Sequence, residues 1–505
     1  MILTDGPIQL LHLSSRTATL TIEVDRHLFA LDRTLPWVLQ LADGTTVKTG
    51  SATSVVLSLD GLEPESEYRF STAIGGITFR TADETALVDI RDHGARPDST
   101  DNTTAIQSAI AAVPAGGTLR LPAGSWTSGP LFLKSDMTLL IEEEAVLQDI
   151  GTRKGRRILS ARHPDGRVLG TWEGVAEACF ASLLNAIDCD NLTVCGKGVL
   201  DGGGDRGDWW TWPKETRDGA RRPRTIFLSG CRHLTMAGIT VQNSPSWTVH
   251  PVLCEDVLAV GLTIRNHPQS PNTDGLNPES SQKIRLVGLD ISVGDDCVAI
   301  KAGKRDPRGG PDRPTRNVEI RNCLMQRGHG AVVMGSEMSQ GISDVTISRC
   351  HFIGTDRGLR IKTRRGRGGT VSKISVHDCR MEDVATPIAV NAFYFCDADG
   401  RSDYVQSRTA LPVSLTTPKI EGIEIRNLEV SGAETAAAVF YGLPESTIDA
   451  VSIDGLSIAY SADAKPAVPE MACHLPELRH AGIIAENTNF SRIAGLSPAS
   501  IHPDP

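Results

Sequence analysis

The sequence predicts an all-β protein in which a small antiparallel β-sandwich precedes a right-handed parallel β-helix of about ten coils. Two observations predict this fold. The first 83 residues alternate apolar and polar side chains with a period of two, which is typical of half-buried strands. Residues 84–505 contain a degenerate repeat of 27 to 34 residues, whose units are too short to bury a core unless they stack. We therefore expect two domains, with bounds 1–83 and 84–505.

The first domain carries a tyrosine at a characteristic place. Residues 18–24 and 54–59 are predicted strands, and residues 62–68 form a connection between further ones. This connection resembles the corner of fibronectin type III domains, where a tyrosine hydroxyl bonds the nearby backbone; here the tyrosine is Tyr68. The sequence leaves open whether the domain presents a ligand, packs on its neighbour or contacts another copy, and it leaves the oligomeric state unknown.

An amphipathic helix is predicted near the start of the second domain. Polar residues 101–104 form a helix-start signal. Ile106, Ala109, Ile110 and Val113 follow at helical spacing and form one apolar stripe, which we expect to face the core.

The repeat is clearest in nine-residue segments with alternating apolar residues. Five successive segments start 27, 34, 27 and 29 residues apart. A TIM barrel would need helices between these strands, and a propeller would need four-stranded blades of about 40 residues, so a stacked β-helix fits best. The segments begin at Asp256, Lys283, Asn317, Asp344 and Lys373, and two further copies begin at Gly422 and Ala450.

Four short motifs lie on successive repeats. They are Asn272-Thr273-Asp274, Asp295-Asp296, Gly328-His329-Gly330 and Arg360-Ile361-Lys362. The strands aligned with them, 274–277, 296–299, 330–333, 358–361 and 387–390, start 22, 34, 28 and 29 residues apart. Because adjacent coils stack about 4.8 Å apart, we expect the motif side chains to form a ladder on one face.

The residue types in this ladder suit the hydrolysis of a glycosidic bond. That reaction needs one protonated carboxyl group for the leaving oxygen and one carboxylate for the water. Three clustered aspartates repel one another, so one should keep its proton to higher pH. Arg360 and Lys362 lie on the same strand face and can hold a carboxylate, which favours an acidic sugar. Residues 301–367 contain 15 Lys and Arg against 6 Asp and Glu, although the chain has a formal charge of −10.

On these four motifs, residues 85–460 resemble glycoside hydrolase family 28, the polygalacturonases. The resemblance implies that Asp295 is the acid and that Asp274 and Asp296 bind and deprotonate the attacking water. It implies inversion at the anomeric carbon, with carboxyl groups roughly 6.5–9.5 Å apart. It also implies that His329 orients the acid or contacts the substrate. We expect further substrate contacts from Asn272, Lys301, Arg360, Lys362 and Tyr394.

Two insertions bear on where the polymer is cut. Residues 304–316 and 393–418 lie beside the ladder and can close one end of a cleft. Together with the N-terminal domain they resemble bacterial exo-acting family members, so we expect end-wise hydrolysis of polygalacturonate or oligogalacturonides, with product length open. The alternatives are an endo-polygalacturonase, a rhamnogalacturonan or xylogalacturonan hydrolase, a calcium-dependent pectate lyase and a non-catalytic carbohydrate-binding β-helix.

The sequence argues against other partners. We expect no cofactor and no metal, because the chain has no C-x-x-C or paired-histidine spacing. We expect no nucleic acid, because no known binding motif accompanies the basic region, and no membrane, because no run of 18 apolar residues occurs. The 11 scattered cysteines do not form a compact disulfide framework, which favours a cytoplasmic protein. A periplasmic or secreted location is the alternative if a signal segment has been removed.

Overall fold

The structure is a computed structural model that describes residues 6–22 and 27–501. Strands dominate the chain, so the all-β prediction is confirmed. Within the described residues, no helix is long and apolar enough to cross a membrane. The helices are Thr103–Ala112, Asp403–Gln406 and Pro498–Ile501, with 3₁₀ turns at Ile90–His93 and Trp209–Thr211.

The first domain contains two antiparallel sheets around one core. Tyr68 is buried in that core, and its hydroxyl oxygen accepts a hydrogen bond from the backbone N–H of Glu63 at 2.9 Å, which confirms the predicted corner. Residues 23 and 24 of the predicted run 18–24 lie outside the described residues. The strands are Ile8–Leu13, Ala18–Ile22 and Val56–Leu59 in one sheet, and Thr46–Ser54, Ala30–Leu41, Glu67–Thr72 and Gly75–Arg80 in the other.

The second domain is a right-handed parallel β-helix, as predicted. Its first parallel strand starts at Leu87, whereas the last antiparallel strand ends at Arg80. The domain division at residues 83 and 84 stays a prediction and falls between these two strands.

The largest sheet of the β-helix, here called the long sheet, has 21 strands. Val257, Ile284 and Val318 stack in one buried row, and the row continues through Val345 and Ile374, so the repeat alignment predicted from the sequence is confirmed. Each such buried side chain contributes about 1.5–3 kcal/mol relative to exposure. The strands are Leu87–Asp89, Gly117–Leu121, Gly124–Ser128, Met137–Ile141, Ala145–Asp149, Asp190–Gly196, Val199–Asp201, Arg232–Ala237, Thr240–Gln242, Glu255–Val260, Thr263–Arg265, Gln282–Val287, Asp290–Ser292, Thr315–Arg321, Leu324–Gln326, Ile342–Ser348, His351–Ile353, Thr370–Glu382, Lys419–Ala433, Ile448–Tyr460 and Thr488–Leu496.

A second parallel sheet, here called the site sheet, carries the motifs. Two segments of it are joined by Leu276, which bridges to Val249 on one side and to Val298 on the other. The strands are Leu131–Phe132, Leu184–Ile187, Ile226–Ser229 and Val249–Val252 before the bridge, and Val298–Ile300, Val332–Gly335, Arg357–Lys362, Thr386–Asn391, Ala436–Tyr441 and Ala481–Glu486 after it. Two short antiparallel pairs lie in the loops, namely Ile158–Leu159 with Cys179–Phe180 and Thr171–Trp172 with Val175–Ala176.

One register prediction for the site sheet is wrong by one residue. The alignment places residues 330–333 opposite 358–361, whereas Val332 pairs with Leu359 and Val333 pairs with Arg360. A shift of one residue turns every side chain of a strand to the opposite face. In the observed register Leu359 belongs to the core, and Arg360 points away from it.

The N-terminal sandwich packs against the β-helix. Val55 and Val56 form an apolar cluster with Leu258 and Val287 of the long sheet. Gly288 has φ +62°, and a Cβ there would lie 2.2 Å from a Val56 methyl carbon, so glycine is required for this close approach. Of the roles that the sequence left open for the sandwich, packing is the one with observed contacts.

The predicted helix is also observed, and most of the cysteines lie in the interior. Ile106, Ala109, Ile110 and Val113 are all buried on one side of the helix Thr103–Ala112. Nine of the 11 cysteines are buried and none is paired in a disulfide, as expected for a stacked interior column.

Candidate active site

The carboxylates of Asp274, Asp295 and Asp296 meet, with one oxygen of each within 4.8 Å of the others. Asp274 and Asp296 occupy equivalent positions on adjacent coils, where the N–H of Gly275 donates to the backbone oxygen of Asp296 at 3.0 Å. Asp295 and Asp296 lie in a bend before the strand Val298–Ile300. Because neighbouring side chains alternate only within a regular strand, this bend lets both face one site.

One oxygen of each of the three carboxylates lies within 4.8 Å of the others. Inversion is associated with carboxyl groups roughly 6.5–9.5 Å apart. A distance between chosen oxygens does not measure the separation of whole carboxyl groups, so the expected separation stays a prediction. The closeness of these oxygens does bring like charges together, and like charges repel one another.

His329 forms an acid–imidazole pair with Asp295. The Nδ1 atom of His329 lies 3.4 Å from Oδ1 of Asp295. The hydrogen bond to Asp295 raises the pKa of His329 to about 9. Burial alone would raise the pKa of Asp295, but the bond to His329 and the charge of Lys362 hold it below the ordinary value. The pair therefore carries one proton, which favours the imidazole.

Asp274 is the aspartate of the three whose pKa is raised. Burial, together with the charges of Asp295 and Asp296, raises the pKa of Asp274 to about 8. Asn277 donates one hydrogen bond to Asp274 Oδ2 at 2.7 Å. The prediction that one clustered aspartate holds a proton fits this arrangement, but the raised pKa belongs to Asp274, whereas the resemblance assigns the acid to Asp295.

The two glycines around His329 provide space for the aspartates. A Cβ on Gly328, whose φ is +89°, would lie 2.3 Å from the backbone oxygen of Asp295. A Cβ on Gly330 would lie 3.3 Å from Asp296 Oδ1 and 2.5 Å from a Val333 methyl carbon. Larger side chains at these two positions would therefore collide with the Asp295 backbone and with Val333 beside Asp296.

Two lysines provide positive charge beside the carboxylates. Lys362 Nζ donates to Asp296 Oδ2 at 2.7 Å. Lys301 Nζ lies 2.9 Å from Glu337 Oε2 and 4.9 Å from the ring centre of Trp247. Both lysines are buried. Lys362 thus offsets the charge of Asp296 and Lys301 that of Glu337, and the expectations of no metal and no cofactor stay predictions.

Arg360 occupies a different position from the one expected. Its side chain is only 2% exposed and forms a two-pronged ion pair with Glu470, with Nε 2.9 Å from Oε2 and Nη2 bonded to Oε1. Its Nη1 atom lies 3.8 Å from Asp296 Oδ1. A uronate carboxylate would therefore have to compete with Glu470 for this guanidinium.

Tyr394 and Asn272 are both at the site. The ring of Tyr394 lies between the two motif cations, 5.6 Å from the Arg360 guanidinium carbon and 5.3 Å from Lys362 Nζ. Asn272 accepts a hydrogen bond from Arg222 Nη2 at 2.6 Å through its Oδ1 atom.

These side chains surround a cavity of about 80 Å³. Drug-sized ligands occupy pockets of about 300–1,000 Å³, so this cavity is small by comparison. Among the expected site residues, His329 and Arg360 are not part of its lining. The lining residues are Glu173, Lys214, Trp247, Asn272, Asp274, Asp295, Asp296, Lys301, Ser336, Glu337, Lys362, Tyr394, Cys396 and Asp397.

Loops from distant parts of the chain close over the cavity. Lys304, in the first predicted insertion, donates from Nζ to Asp397 of the second insertion at 2.7 Å. The backbone N–H of Lys304 donates to Gly174 at 2.9 Å, which joins the first insertion to the loop that carries Glu173. The two insertions and the loop around Gly174 therefore form one connected wall.

A larger cavity, of about 900 Å³, is lined in part by the first insertion. Its lining includes Arg162, Arg232, Arg305 and Arg313, and it shares Lys304 with the wall. Among the described residues, its lining has no carboxylate group like that of Asp274, Asp295 and Asp296. We therefore choose the candidate site by its side chains and not by the volume of its cavity.

The sequence did not indicate several residues that form the site. Glu470 lies far from every motif, in the segment between the strands Ile448–Tyr460 and Ala481–Glu486. Glu173 and Lys214 come from irregular loops before the first motif. Asp397 could have been found, because it belongs to the insertion predicted to close the cleft. No local pattern distinguishes the others.

Comparison with known proteins agrees with this geometry. Residues 168–465 match the family model described as Glycosyl hydrolases family 28. A probable polygalacturonase from Vitis vinifera is 32% identical over 394 residues, which cover 76% of this chain and 76% of the relative. An exo-poly-alpha-D-galacturonosidase from Dickeya chrysanthemi is 28% identical over 407 residues, covering 69% and 66%. An endo-polygalacturonase from Pectobacterium parmentieri is 30% identical over 311 residues, covering 59% and 74%.

Among solved structures, the family 28 exopolygalacturonase from Yersinia enterocolitica matches with a TM-score of 0.65 at 20% identity, covering 99% of this chain and 100% of that chain. At this identity the likeness establishes the fold, including the N-terminal sandwich. The family model covers more than half of the chain, and this part includes the three aspartates that meet at the cavity. The protein therefore belongs to glycosyl hydrolases family 28 and is a glycosidase.

Proposed function

We propose that this glycosidase hydrolyses α-1,4 bonds between galacturonate residues of polygalacturonate or oligogalacturonides, acting from a chain end and with inversion. The observation that carries the proposal is the meeting of Asp274, Asp295 and Asp296 beside Lys301 and Lys362 in one confined cavity. Carboxylates supply acid and base, and the ammonium groups suit an anionic sugar.

The acidic substrate is supported by the cations that line the cavity. Lys214, Lys301 and Lys362 all contribute to the lining. Lysine binds a carboxylate as a point charge, and a neutral sugar would leave these groups without an added partner. The names of the relatives from Dickeya and Pectobacterium point to the same polymer but include both an exo and an endo form.

End-wise attack is supported by the wall that closes the cavity. Asp397 and Tyr394 of one insertion line it, and Lys304 of the other insertion is bonded to Asp397. A polymer threaded through the site would need an open groove on both sides of the carboxylates. The bonded insertions beside the carboxylates therefore favour binding of a chain end.

The proton route uses the pair of His329 and Asp295. The imidazolium proton passes along the hydrogen bond to Asp295, which donates it to the glycosidic oxygen as the bond to the anomeric carbon breaks. Asp296, whose Oδ2 accepts a hydrogen bond from Lys362 Nζ at 2.7 Å, takes the proton of the attacking water. Asp274, beside it on the adjacent coil, orients that water.

Inversion is supported by the side-by-side placement of Asp274 and Asp296. Two carboxyl groups on adjacent coils can hold one water between them. If one of the carboxylates attacked the sugar directly, the other carboxylate would have no role in that step. Retention through a covalent intermediate is the other outcome open to a pair of carboxyl groups. Proton NMR of the first anomer released from an oligogalacturonide distinguishes the outcomes, and an initial product with the substrate's configuration would refute inversion.

The decisive experiment is a time course on polygalacturonate and on short oligogalacturonides, with products sized by chromatography. We expect the steady release of mono- or digalacturonate while the polymer stays long. Early mid-length fragments would contradict exo action and favour an endo-polygalacturonase. Unsaturated products that absorb in the ultraviolet would contradict hydrolysis altogether. Asp295→Asn in the same assay gives the background level.

A further inference from the structure

A second cavity, of about 900 Å³, shares no lining residue with the catalytic cavity among the described residues. Its volume falls within the range of about 300–1,000 Å³ that ligand pockets occupy. Six residues of its lining are lysine or arginine, and four are aspartate or glutamate. Part of the lining comes from the first insertion, within the basic region that the sequence contains between residues 301 and 367. This excess of cations has no part in the proposed hydrolysis.

Four of the six cations have no carboxylate partner in the part of the chain that the structure describes. The other two are paired. Arg167 Nη1 lies 3.1 Å from Asp188 Oδ1, and the Nζ atom of Lys304 is bonded to Asp397. The space around the four unpaired guanidinium groups is here called the arginine cavity. These groups belong to Arg162, Arg232, Arg305 and Arg313.

The anions of the lining do not neutralise these four arginines, because most of the anions are bonded to other cations. Three are paired in this way, namely Asp188 with Arg167, Glu255 with Lys283 and Asp306 with Arg308. Asp312 is the fourth, and it has no ion-pair partner within residues 6–22 and 27–501. Four positive charges and one negative charge of the lining therefore stay without a partner.

Uncharged acceptors hold two of the arginines in place. Arg162 donates from Nη1 to the backbone oxygen of Gly166 at 2.8 Å and from Nη2 to that of Arg308 at 2.7 Å. Arg313 donates from Nη2 to the backbone oxygen of Leu253. A backbone oxygen orients a guanidinium group but does not cancel its charge. The arginine cavity is therefore preorganised for an anion, which lowers the cost of ordering side chains on binding.

We propose that the arginine cavity is a second binding site for the galacturonate polymer, separate from the catalytic cavity. Polygalacturonate carries a carboxylate on each sugar unit, and a guanidinium group binds a carboxylate through two parallel N–H bonds. Several unpaired arginines in one cavity suit such a polyanion better than a single small anion. The described lining has no aromatic side chain on which a nucleic-acid base could stack. This inference rests on the proposed function, because that function supplies the substrate.

The arginine cavity lies next to the wall of the active site. Lys304 lines the arginine cavity, and its Nζ atom bonds Asp397, which lines the catalytic cavity. Arg305 follows directly, and its backbone N–H donates to Ser339 Oγ at 2.9 Å. A polymer bound here stays close to the catalytic carboxylates, which raises the effective concentration of its chain ends. KM for the polymer should therefore depend on the arginine cavity, whereas kcat should not.

The first test is kinetic and uses the double variant Arg162→Gln with Arg232→Gln. Neither residue lines the catalytic cavity. KM for polygalacturonate should rise by about tenfold, the effect expected when two exposed ion pairs with the substrate are lost. Both kcat and the KM for trigalacturonate should stay unchanged, because a short substrate reaches the carboxylates without the second site. An unchanged KM for polygalacturonate would overturn the proposal.

The matched control is Arg285→Gln. Arg232 and Arg285 are both exposed and both lie on strands of the long sheet, but Arg285 does not line the arginine cavity. An equal rise of KM in this control would assign the effect to net charge and overturn the proposal. Arg162 bonds the first insertion, so Arg232→Glu is tested alone as well. The Arg232 side chain has no bond to a described residue, and an unchanged KM for polygalacturonate in Arg232→Glu would also contradict the site.

The second test measures binding without hydrolysis. In an Asp295→Asn protein whose catalytic cavity is filled with excess galacturonate, polygalacturonate should still bind in a calorimetric titration. Adding Arg162→Gln and Arg232→Gln should weaken this binding by about tenfold. Salt at about 1 M should weaken it too, because the Debye length then falls to about 3 Å. Displacement of the polymer by an equal concentration of inorganic phosphate would overturn its assignment to the sugar.

Failure of this inference can be separated from failure of the proposed function. A wild-type protein that releases no galacturonate would refute the function. An active wild-type protein whose double variant binds polygalacturonate as tightly in the second test would refute only the arginine cavity.

Discussion

Lys362 Nζ donates to Asp296 Oδ2 at 2.7 Å, although 66 positions separate the two residues in the chain. Lys362 pairs with Gly335 on the preceding coil of the site sheet, and Asp296 precedes the strand one coil further back. Stacking thus places a cation suited to the substrate directly against the proposed base. The pair links substrate binding to the chemical step, and it leads to the first prediction.

Lys362→Met should raise KM for oligogalacturonides and also lower kcat, because one change removes a uronate contact and the partner of Asp296. Leaving one partner of a buried pair alone costs about 3–5 kcal/mol, so the free energy of unfolding should also fall. Steady-state kinetics and chemical denaturation measure both effects. Lys283→Met is the matched control, because Lys283 makes a 2.7 Å ion pair with Glu255 on the exposed surface. Equal losses of activity in Lys362→Met and Lys283→Met would contradict the assignment of Lys362 to substrate binding and to the support of Asp296.

Asp295→Asn and Asp296→Asn should each lower kcat by about 10²–10⁴-fold, the range that proton transfer contributes. Circular dichroism should be unchanged, because asparagine has nearly the same shape. Asp256→Asn serves as the control, since asparagine tolerates the left-handed backbone at that position, where φ is +57°. Full activity of Asp295→Asn would refute its assignment as the acid.

His329→Gln should move the alkaline limb of the kcat/KM profile to lower pH. The pKa of His329 is raised to about 9 by Asp295, so the imidazolium supplies a proton up to roughly that pH. Glutamine can bond Asp295 but has no proton to deliver. His233→Gln is the comparison, because Asp190 also raises the pKa of His233 but that pair is exposed and remote from the site. An unshifted alkaline limb would show that His329 takes no part in the proton route.

Asp274→Asn should abolish most activity yet stabilise the fold at neutral pH. Because the pKa of Asp274 is raised from 3.8 to about 8, the folded protein binds a proton that the unfolded chain releases, and stability falls as pH rises through this interval. The variant loses that dependence, so its melting temperature should exceed that of the wild type increasingly from about pH 4 to pH 8. Asp306→Asn should behave oppositely, since the Arg308 hydrogen bonds lower the pKa of Asp306 to about 2 and its contribution is lost only on acidification.

Lys304→Met should increase the share of mid-length fragments released from polygalacturonate. The change breaks the 2.7 Å bond to Asp397 that joins the two insertions and so loosens the wall around the cavity. Product sizing over time measures the shift, and Lys283→Met is again the control. An unchanged product pattern would mean that this ion pair does not set the mode of attack.

Much of the fold could be predicted because it is encoded locally. The alternation that marks each strand and the spacing of 27 to 34 residues recur coil after coil, and the row from Val257 to Ile374 pairs as the sequence alignment places it. The register error of one residue at Arg360 arose in a part of the chain whose sequence differs from coil to coil. A stretch of mostly apolar residues such as Gly358-Leu359 does not reveal which of its side chains faces inward.

The sequence by itself determined the repeat, the sandwich corner at Tyr68 and the set of aspartates, histidine and lysines on one face. Only the tertiary structure decided their electrostatics, because pKa values depend on burial and on neighbours that come from other coils. Burial and neighbouring charges raise the pKa of Asp274, His329 pairs with Asp295, and Glu470 forms an ion pair with Arg360. These relationships join segments up to 110 positions apart, and no local pattern could specify them.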